Sequence, residues 1–175
     1  SAASDVYKRQ GNNMPSAAEG REARLARAGE IADLIESKNY QEAANLIRPA
    51  GTLSSGSDYL PEAIGRFMDD RRISDRGSLI ALVEDVIMGH YPKTVIPDME
   101  SLGYEVNEQA LNMASTGCHA YAKAIQADRL GKKYCIHSCP CCRSKDGKAF
   151  PLKKARIGRT LPPFSKSCAA WVSFE

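Results

Sequence analysis

The sequence predicts a mainly α protein, with a helical-hairpin body and a small irregular or β Cys-rich module at its C-terminus. Apolar residues recur at helical spacing through residues 21–130, but residues 131–175 show no helical period and hold five of the six cysteines. Charge changes at the same boundary: residues 1–130 carry 14 Lys/Arg and 19 Asp/Glu, whereas residues 131–175 carry 10 Lys/Arg and 2 Asp/Glu. We therefore expect a disordered segment over 1–20, a helical body over 21–130 and a basic Cys-rich module over 131–175.

The body begins with two predicted helices, Arg21–Ser37 and Gln41–Arg48. Apolar residues of the first helix recur on one face, and a break at Lys38 separates the two helices. Pro49 and Gly51 are expected to end the second helix and to begin a Gly/Ser loop.

Two further helices are expected after this loop. Asp58 or a neighbour should cap the first of them, with Pro61 in its first turn, where a missing N–H has little effect. Its buried face consists of Ile64, Phe67 and Met68. Ser78 should cap the other helix, whose apolar side chains repeat with a period of about 3.6 residues. These side chains are Leu79, Val83, Val86 and Ile87.

The body ends with a short and a long predicted helix. Thr94–Glu100 should be kinked or frayed by Pro97, and Glu108–Asp128 should be interrupted at Gly117. The stretch Gly89–Ile125 also resembles one turn of an ankyrin-type solenoid, which implies a helical interaction module. Helical hairpins of unrelated origin are the alternative interpretation.

The Cys-rich module contains the elements of a metal site. Cys139 and Cys142 form a Cys-x-x-Cys pair, which places two thiolates on one turn, and Pro162-Pro163 can return Cys168 as a third ligand. Four sulfur or nitrogen ligands would make a closed structural zinc site. Three residues remain open as the fourth ligand: Cys135, His137 and Cys141. The alternative is a cluster of buried or free thiols.

The excess of positive charge in the module indicates an anionic partner, of which nucleic acid is the commonest. A solvated basic surface, or docking onto the acidic body, would account for the same charge. The residues predicted to bind nucleic acid are Lys132, Lys133, Lys153, Lys154, Arg156 and Arg159. Trp171–Phe174 predicts a short closing strand.

The sequence predicts neither a membrane protein nor a catalytic site. No apolar run is long enough to cross a bilayer, no secretory signal is evident, and clustered cysteines then favour a reduced, cytoplasmic compartment. Cys118 and His119 are neighbours that diverge by about 100° on a helix, so they do not form a nucleophile–base dyad. The chain has no Gly-rich phosphate loop and lacks the His-x-Glu of a zinc deaminase.

The cysteine motif resembles the C-terminal motif of phage minor head proteins of the Mu F type. The similarity covers Cys139–Cys168 and begins with Cys-Pro-x-Cys, then Asp146-Gly147-Lys148 and Phe150. It continues with Pro162-Pro163 and a final cysteine. Ser165 and Lys166 stand where the family has His-Pro, Ala169 and Ala170 where it has Arg-Cys, and Lys145 where it has leucine. A metal site of the family type would therefore have to be completed by Cys135, His137 or Cys141.

This resemblance implies a non-enzymatic phage or prophage protein, structural or DNA-associated. Such proteins act in the capsid interior near the portal, which implies nucleic acid or capsid and portal proteins as partners. It also implies a location in the host cytoplasm or the virion interior. The alternative is a small helical interaction protein, such as a phage-encoded inhibitor or adaptor that docks on a host macromolecule. A catalytic thiol enzyme is a third class.

Overall fold

The computed structural model describes residues 17–48 and 56–174, and within them six α-helices precede a three-stranded antiparallel sheet. The predicted helix end at Pro49 and Gly51, and residues 1–16 of the predicted disordered segment, lie outside the described residues. The helices are α1 (Ala17–Glu36), α2 (Tyr40–Ile47), α3 (Leu60–Arg71), α4 (Arg76–Leu82), α5 (Pro92–Ser101) and α6 (Glu108–Arg129). A π-helical turn, Val83–Ile87, extends α4. The mainly α fold class is thereby confirmed.

The sheet lies in the C-terminal module. Its strands are β1 (Tyr134–His137), β2 (Ala149–Phe150) and β3 (Trp171–Phe174), in the order β2–β1–β3. The predicted closing strand is therefore confirmed, and it pairs with β1 from His137–Trp171 to Tyr134–Phe174. Three 3₁₀ turns complete the elements: Gly56–Tyr59, Pro140–Lys145 and Leu152–Lys154. No helix in the described ranges is long and apolar enough to span a membrane.

The predicted cap of α4 was wrong, and the cap position of α3 falls on a neighbour of Asp58. Asp75, not Ser78, caps α4: its carboxylate accepts the Ser78 N–H at 2.8 Å, because Asp75 is the last extended residue before the helix. Asp58 lies within a 3₁₀ turn before α3 and pairs with Arg48 at 3.1 Å, so it does not cap that helix. The residue at the cap position is Tyr59, whose side chain makes no capping hydrogen bond.

Helix α6 is continuous through Gly117, contrary to the predicted interruption. The glycine serves packing instead: a Cβ at Gly117 would lie 2.7 Å from the Phe67 ring, so only glycine allows α3 and α6 this close approach. The predicted apolar faces of α3 and of the helix that begins at Arg76 are buried together, since Ile64, Phe67, Val83 and Val86 belong to one cluster. Ile87 is half-buried at its edge.

A buried carboxylate joins the first helix to the fifth. Asp98 on α5 is 1% exposed and accepts hydrogen bonds from Arg24 at 2.9 and 3.1 Å and from Arg21 at 3.1 Å. Burial alone would raise the pKa of Asp98, but the hydrogen bonds from Arg24 lower it below its usual value. The bidentate arginine geometry makes this a strong polar link between α1 and α5.

A second buried acid, Glu84 in the π turn, is less well compensated. It is fully buried, and among the described residues neither carboxyl oxygen has a hydrogen-bond partner. The nearest cationic groups are Arg24 Nε at 3.8 Å and His90 Nδ1 at 3.6 Å. Burial, followed by the neighbouring Asp98 carboxyl, raises the pKa of Glu84 to about 8, and Arg24 only partly opposes this.

The C-terminal module shares the hydrophobic core of the body. Apolar residues of the module belong to the same buried cluster as α6: Tyr134, Ile136, Leu152, Ala155, Ile157, Leu161 and Val172. A polar clasp accompanies this packing. Asp70 at the end of α3 accepts the Ile157 N–H at 2.8 Å and the Tyr121 hydroxyl at 2.5 Å. The Tyr121 hydroxyl also lies 3.2 Å from the Ala155 carbonyl oxygen.

Stability should depend on pH through Glu84. Its pKa in the folded protein, about 8, exceeds the ordinary value of 4.5, so between these values the folded chain retains a proton that the unfolded chain releases. The free energy of unfolding should therefore fall as pH rises from about 5 to about 8. Glu84→Gln, which mimics the protonated acid, should reduce this fall and make the protein more stable than wild type above pH 8.

Denaturant titrations between pH 5 and pH 9 would measure this effect. The ionisable groups that face Glu84 are Asp98, Arg24 and His90, and all of them remain in the variant. The exposed Glu100 on α5 provides the control, because Glu100→Gln should leave the slope unchanged. An identical pH dependence in wild type and Glu84→Gln would show that Glu84 is not the source of the pH-dependent stability.

The clasp at Asp70 should contribute measurably to stability. Asp70→Ala leaves the Ile157 N–H and the Tyr121 hydroxyl without their acceptor, so it should lower the free energy of unfolding by about 1–3 kcal/mol. Its neighbour Asp69 is exposed and pairs with the exposed Lys38 at 3.8 Å, so Asp69→Ala should change stability by less than about 0.5 kcal/mol. Denaturation curves give both values. Equal effects of the two variants would rule out the clasp.

Candidate metal centre

A hairpin positions the cysteines. Strand β1 runs into β2 through the Asp146-Gly147-Lys148 segment, where the Asp146 carboxylate accepts the Ser138 N–H at 3.0 Å. The Ser138 hydrogen bond lowers the pKa of Asp146. Gly147 has φ +74°, which favours glycine, and its N–H donates to the Ile136 carbonyl at 2.9 Å. The Asp-Gly-Lys motif therefore closes the loop that contains Cys139, Cys141 and Cys142.

Two turns supply the sulfur atoms. Pro140–Lys145 is a 3₁₀ turn with non-helical backbone angles at Cys142, and the Cys142 N–H donates to the Cys139 carbonyl at 3.1 Å. The second turn follows the buried Pro162-Pro163 segment, where the Cys168 N–H donates to the Ser165 carbonyl at 3.2 Å. This return brings Cys168 to the first turn, as the sequence predicted.

Four thiols meet between these turns. The Sγ atoms of Cys139, Cys141, Cys142 and Cys168 all lie within 4.8 Å of one another. From Cys139 Sγ the distances are 2.6 Å to Cys141 Sγ, 3.5 Å to Cys142 Sγ and 3.9 Å to Cys168 Sγ. Tetrahedral coordination with metal–sulfur bonds of about 2.3 Å separates the sulfurs by about 3.8 Å. The observed distances bracket that value, so these four residues can hold one metal ion.

The thiols of this cluster differ in acidity. The hydrogen bond with Cys141, and then the Ala169 backbone, lower the pKa of Cys139 to about 6. The same hydrogen bond with Cys139 raises the pKa of Cys141. Burial raises the pKa of Cys142 to about 12. A bound cation would favour deprotonation of all four thiols.

Cys135 and His137, two of the alternatives for the fourth ligand, lie on β1 outside the cluster. The His137 ring stacks on Trp171 with 3.9 Å between ring centroids and 12° between planes, and its Nε2 lies 2.6 Å from Ser173 Oγ. The Cys135 thiol lies 3.9 Å from the Ile136 carbonyl oxygen. The structure therefore favours Cys141 as the fourth ligand. Sequence could name it only as an alternative, because the tightness of the 3₁₀ turn is not visible in residue spacing.

The six basic residues predicted to bind nucleic acid are all exposed. Four of them lie between Leu152 and Leu161, and the remaining two precede β1. Within the described ranges every ion pair lies in the body, and none uses a Lys or Arg of residues 131–174. Among the described residues, the basic module therefore makes no ion pair with the acidic body.

The Cys118 thiol is unsuited to nucleophilic catalysis. It is fully buried in α6, and this burial raises its pKa well above the ordinary value. His119, next to it, is exposed on another side of the helix. This arrangement agrees with the prediction that the two residues form no dyad.

Substitution of single cysteines should identify the ligand set. Cys141→Ser should reduce bound divalent metal well below one ion per chain, because it removes one of four converging thiols. Cys135→Ser is the matched control, since Cys135 lies on β1 outside the cluster, and it should retain the wild-type metal content. Elemental analysis after gel filtration measures both. Loss of metal from Cys135→Ser but not from Cys141→Ser would contradict the assignment.

Comparison with known proteins gives no match. No protein-family model, no curated protein and no solved structure matches this chain. The four-thiol cluster and the charge distribution around it are therefore the observations from which function is argued.

Proposed function

We propose that the chain is a non-enzymatic phage or prophage protein of minor-head type, structural or DNA-associated, whose C-terminal module is held by a structural zinc ion. The observation that carries this proposal is the convergence of four cysteine thiols from two separate turns. Zinc is the metal of choice for four thiolates in tetrahedral geometry. A closed set of four sulfurs has no open position for substrate, which favours a structural role.

The module has few other means of fixing its loops. Strand β2 has two residues, β1 and β3 have four each, and the segments between them are turns and irregular backbone. An ion shared by Cys139 and Cys168 would join loops 29 residues apart in sequence. Because such a module has little regular structure, much of its folding free energy would come from metal binding.

The positions shared with minor head proteins have structural roles that support the proposal. Asp146 and Gly147 close the β1–β2 hairpin, and Cys139, Cys142 and Cys168 meet in the cluster. Ser165 stands where that family has a histidine, and its hydroxyl lies 3.5 Å from Cys141 Sγ. Cys141 would thus supply the ligand that the replaced histidine no longer provides.

Charge supports the DNA-associated form of this function. The C-terminal module carries 10 Lys/Arg against 2 Asp/Glu. Its six predicted nucleic-acid-binding side chains are exposed, and they form no ion pair within the described residues. Such a surface binds phosphate groups through release of counterions and reads no sequence. A protein of this proposed function would also bind capsid or portal proteins.

The second candidate is a small interaction protein, such as an inhibitor or adaptor that docks on a host macromolecule. The specific observation in its favour is a set of exposed large apolar side chains, of which Tyr91 is 72% and Trp171 58% exposed. Aromatic side chains of this kind are enriched at protein interfaces. This candidate requires no affinity for nucleic acid.

Binding to nucleic acid separates the two candidates. The minor-head proposal predicts sequence-independent affinity for DNA that falls with salt, with a log–log slope of about 0.9 per neutralised phosphate. The double variant Lys153→Glu/Lys154→Glu should weaken this affinity and flatten the slope. Lys93→Glu, an exposed change on the body, is the control and should have a small effect.

Fluorescence anisotropy with labelled duplex and single strands, at several salt concentrations, measures these affinities. Circular dichroism checks that each variant is folded. Absence of binding to either strand form at low salt would reject the DNA-associated function and favour the interaction protein.

A further inference from the structure

A cleft lies between helix α6 and strand β3, and the metal centre does not use it. Its volume is about 550 Å³, within the range of about 300–1,000 Å³ that is typical of small-molecule sites. The 3₁₀ turn Gly56–Tyr59 closes one end, and Leu60 and Val172 provide apolar surface. The volume and its apolar walls are the first indication of a ligand site.

Small residues form part of the wall of this cleft. Gly56, Ala120, Ala122 and Ala170 line it, so these positions occupy little of the space between helix and strand. Trp171 stands beside them with 58% of its surface exposed, although its ring stacks on His137. A large apolar ring left at the wall of an open cleft gains further burial when a flat ligand enters.

Besides Ser57 of the 3₁₀ turn, the polar side chains that line the cleft come from one face of α6. Thr116, His119, Lys123 and Gln126 follow one another at helical spacing along the cleft. Lys123 is the charged side chain among the described lining residues, since no aspartate, glutamate or arginine lines the cleft there. Its ammonium lies 5.7 Å from the centroid of the Phe174 ring, which holds this charge at the wall by a cation–π contact.

We propose that this cleft binds a small amphipathic anion, with a flat apolar body between α6 and Trp171 and one carboxylate, sulfonate or similar group on Lys123. The volume sets the size of the ligand, and the apolar walls select its body. Lys123, which no carboxylate opposes among the described lining residues, selects its charge. Thr116 and Gln126 offer hydrogen bonds at the rim. The site is independent of the metal and of nucleic acid.

Two dyes of similar shape and different charge test the proposal. 8-Anilinonaphthalene-1-sulfonate carries the anionic group, and N-phenyl-1-naphthylamine is the neutral counterpart. The full chain should bind one molecule of the anionic dye. Trp171 is the one tryptophan of the sequence, so its indole N–H gives a single assigned resonance that should shift on binding.

Two variants measure separately how the Lys123 charge and the volume of the cleft contribute to dye binding. Lys123→Met should weaken binding of the anionic dye about tenfold, through loss of one charge-assisted contact, and leave the neutral dye nearly unaffected. Lys93→Met removes the same charge outside the cleft and should change neither. Thr116→Phe should fill the cleft from its half-exposed rim and weaken both dyes. Circular dichroism and metal content show that each variant is folded.

The results that overturn the proposal are specific. A folded wild-type protein that binds neither dye has no such site. Equal affinity of the anionic dye for wild type, Lys123→Met and Thr116→Phe places the dye elsewhere and rejects the cleft. Binding without a shift of the Trp171 indole resonance rejects it in the same way.

Discussion

The C-terminal module depends on its attachment to helices α3 and α6. It has a three-stranded sheet of very short strands, and most of its buried apolar side chains belong to the cluster that the body provides. Asp70 and Tyr121 fix Ile157 to that surface, and the four converging sulfurs could hold a metal ion between the module's loops. A small segment without a core of its own needs both constraints, because its ordering entropy exceeds what its own contacts can offset.

The body and the module use charge in opposite ways. In the body, Arg21 and Arg24 are bound to the buried Asp98, and this pairing joins the first helix to the fifth. Glu84 beside them is the exception, a buried acid whose raised pKa keeps a proton near neutral pH. In the module the six basic side chains predicted to bind nucleic acid are exposed. The same residue types therefore stabilise the fold in one part and form an exposed basic surface in the other.

Sequence periodicity predicted the helices well, because each has an apolar face that must be buried. The prediction failed at single positions, where contacts with other residues decide the role of the side chain. Gly117 was expected to break a helix, but it makes room for Phe67. Ser78 was expected to be a cap, but it donates to the true cap, Asp75. The other helices could be predicted without knowledge of tertiary contacts, since the periodic apolar face of a helix is visible in the local sequence.

The metal centre was only partly visible in the sequence. Spacing identified Cys139, Cys142 and Cys168, because Cys-x-x-Cys and a returning chain are local features. It left the fourth position open, because Cys141 reaches the cluster through the kink of a 3₁₀ turn. The cleft beside Trp171 was missed entirely, since it arises where small residues of α6 meet the end of the chain. No periodic pattern marks such an empty space.

X-ray absorption spectroscopy at the zinc edge would test the central claim, that four sulfurs hold one structural ion, most directly. The arrangement of Cys139, Cys141, Cys142 and Cys168 predicts a first shell of four sulfur atoms at about 2.3 Å, with no nitrogen or oxygen. A first shell with a nitrogen at about 2.0 Å would bring a histidine such as His137 into the site and contradict the four-sulfur centre. A shell of oxygen atoms alone would show that the ion is not held by the cysteines.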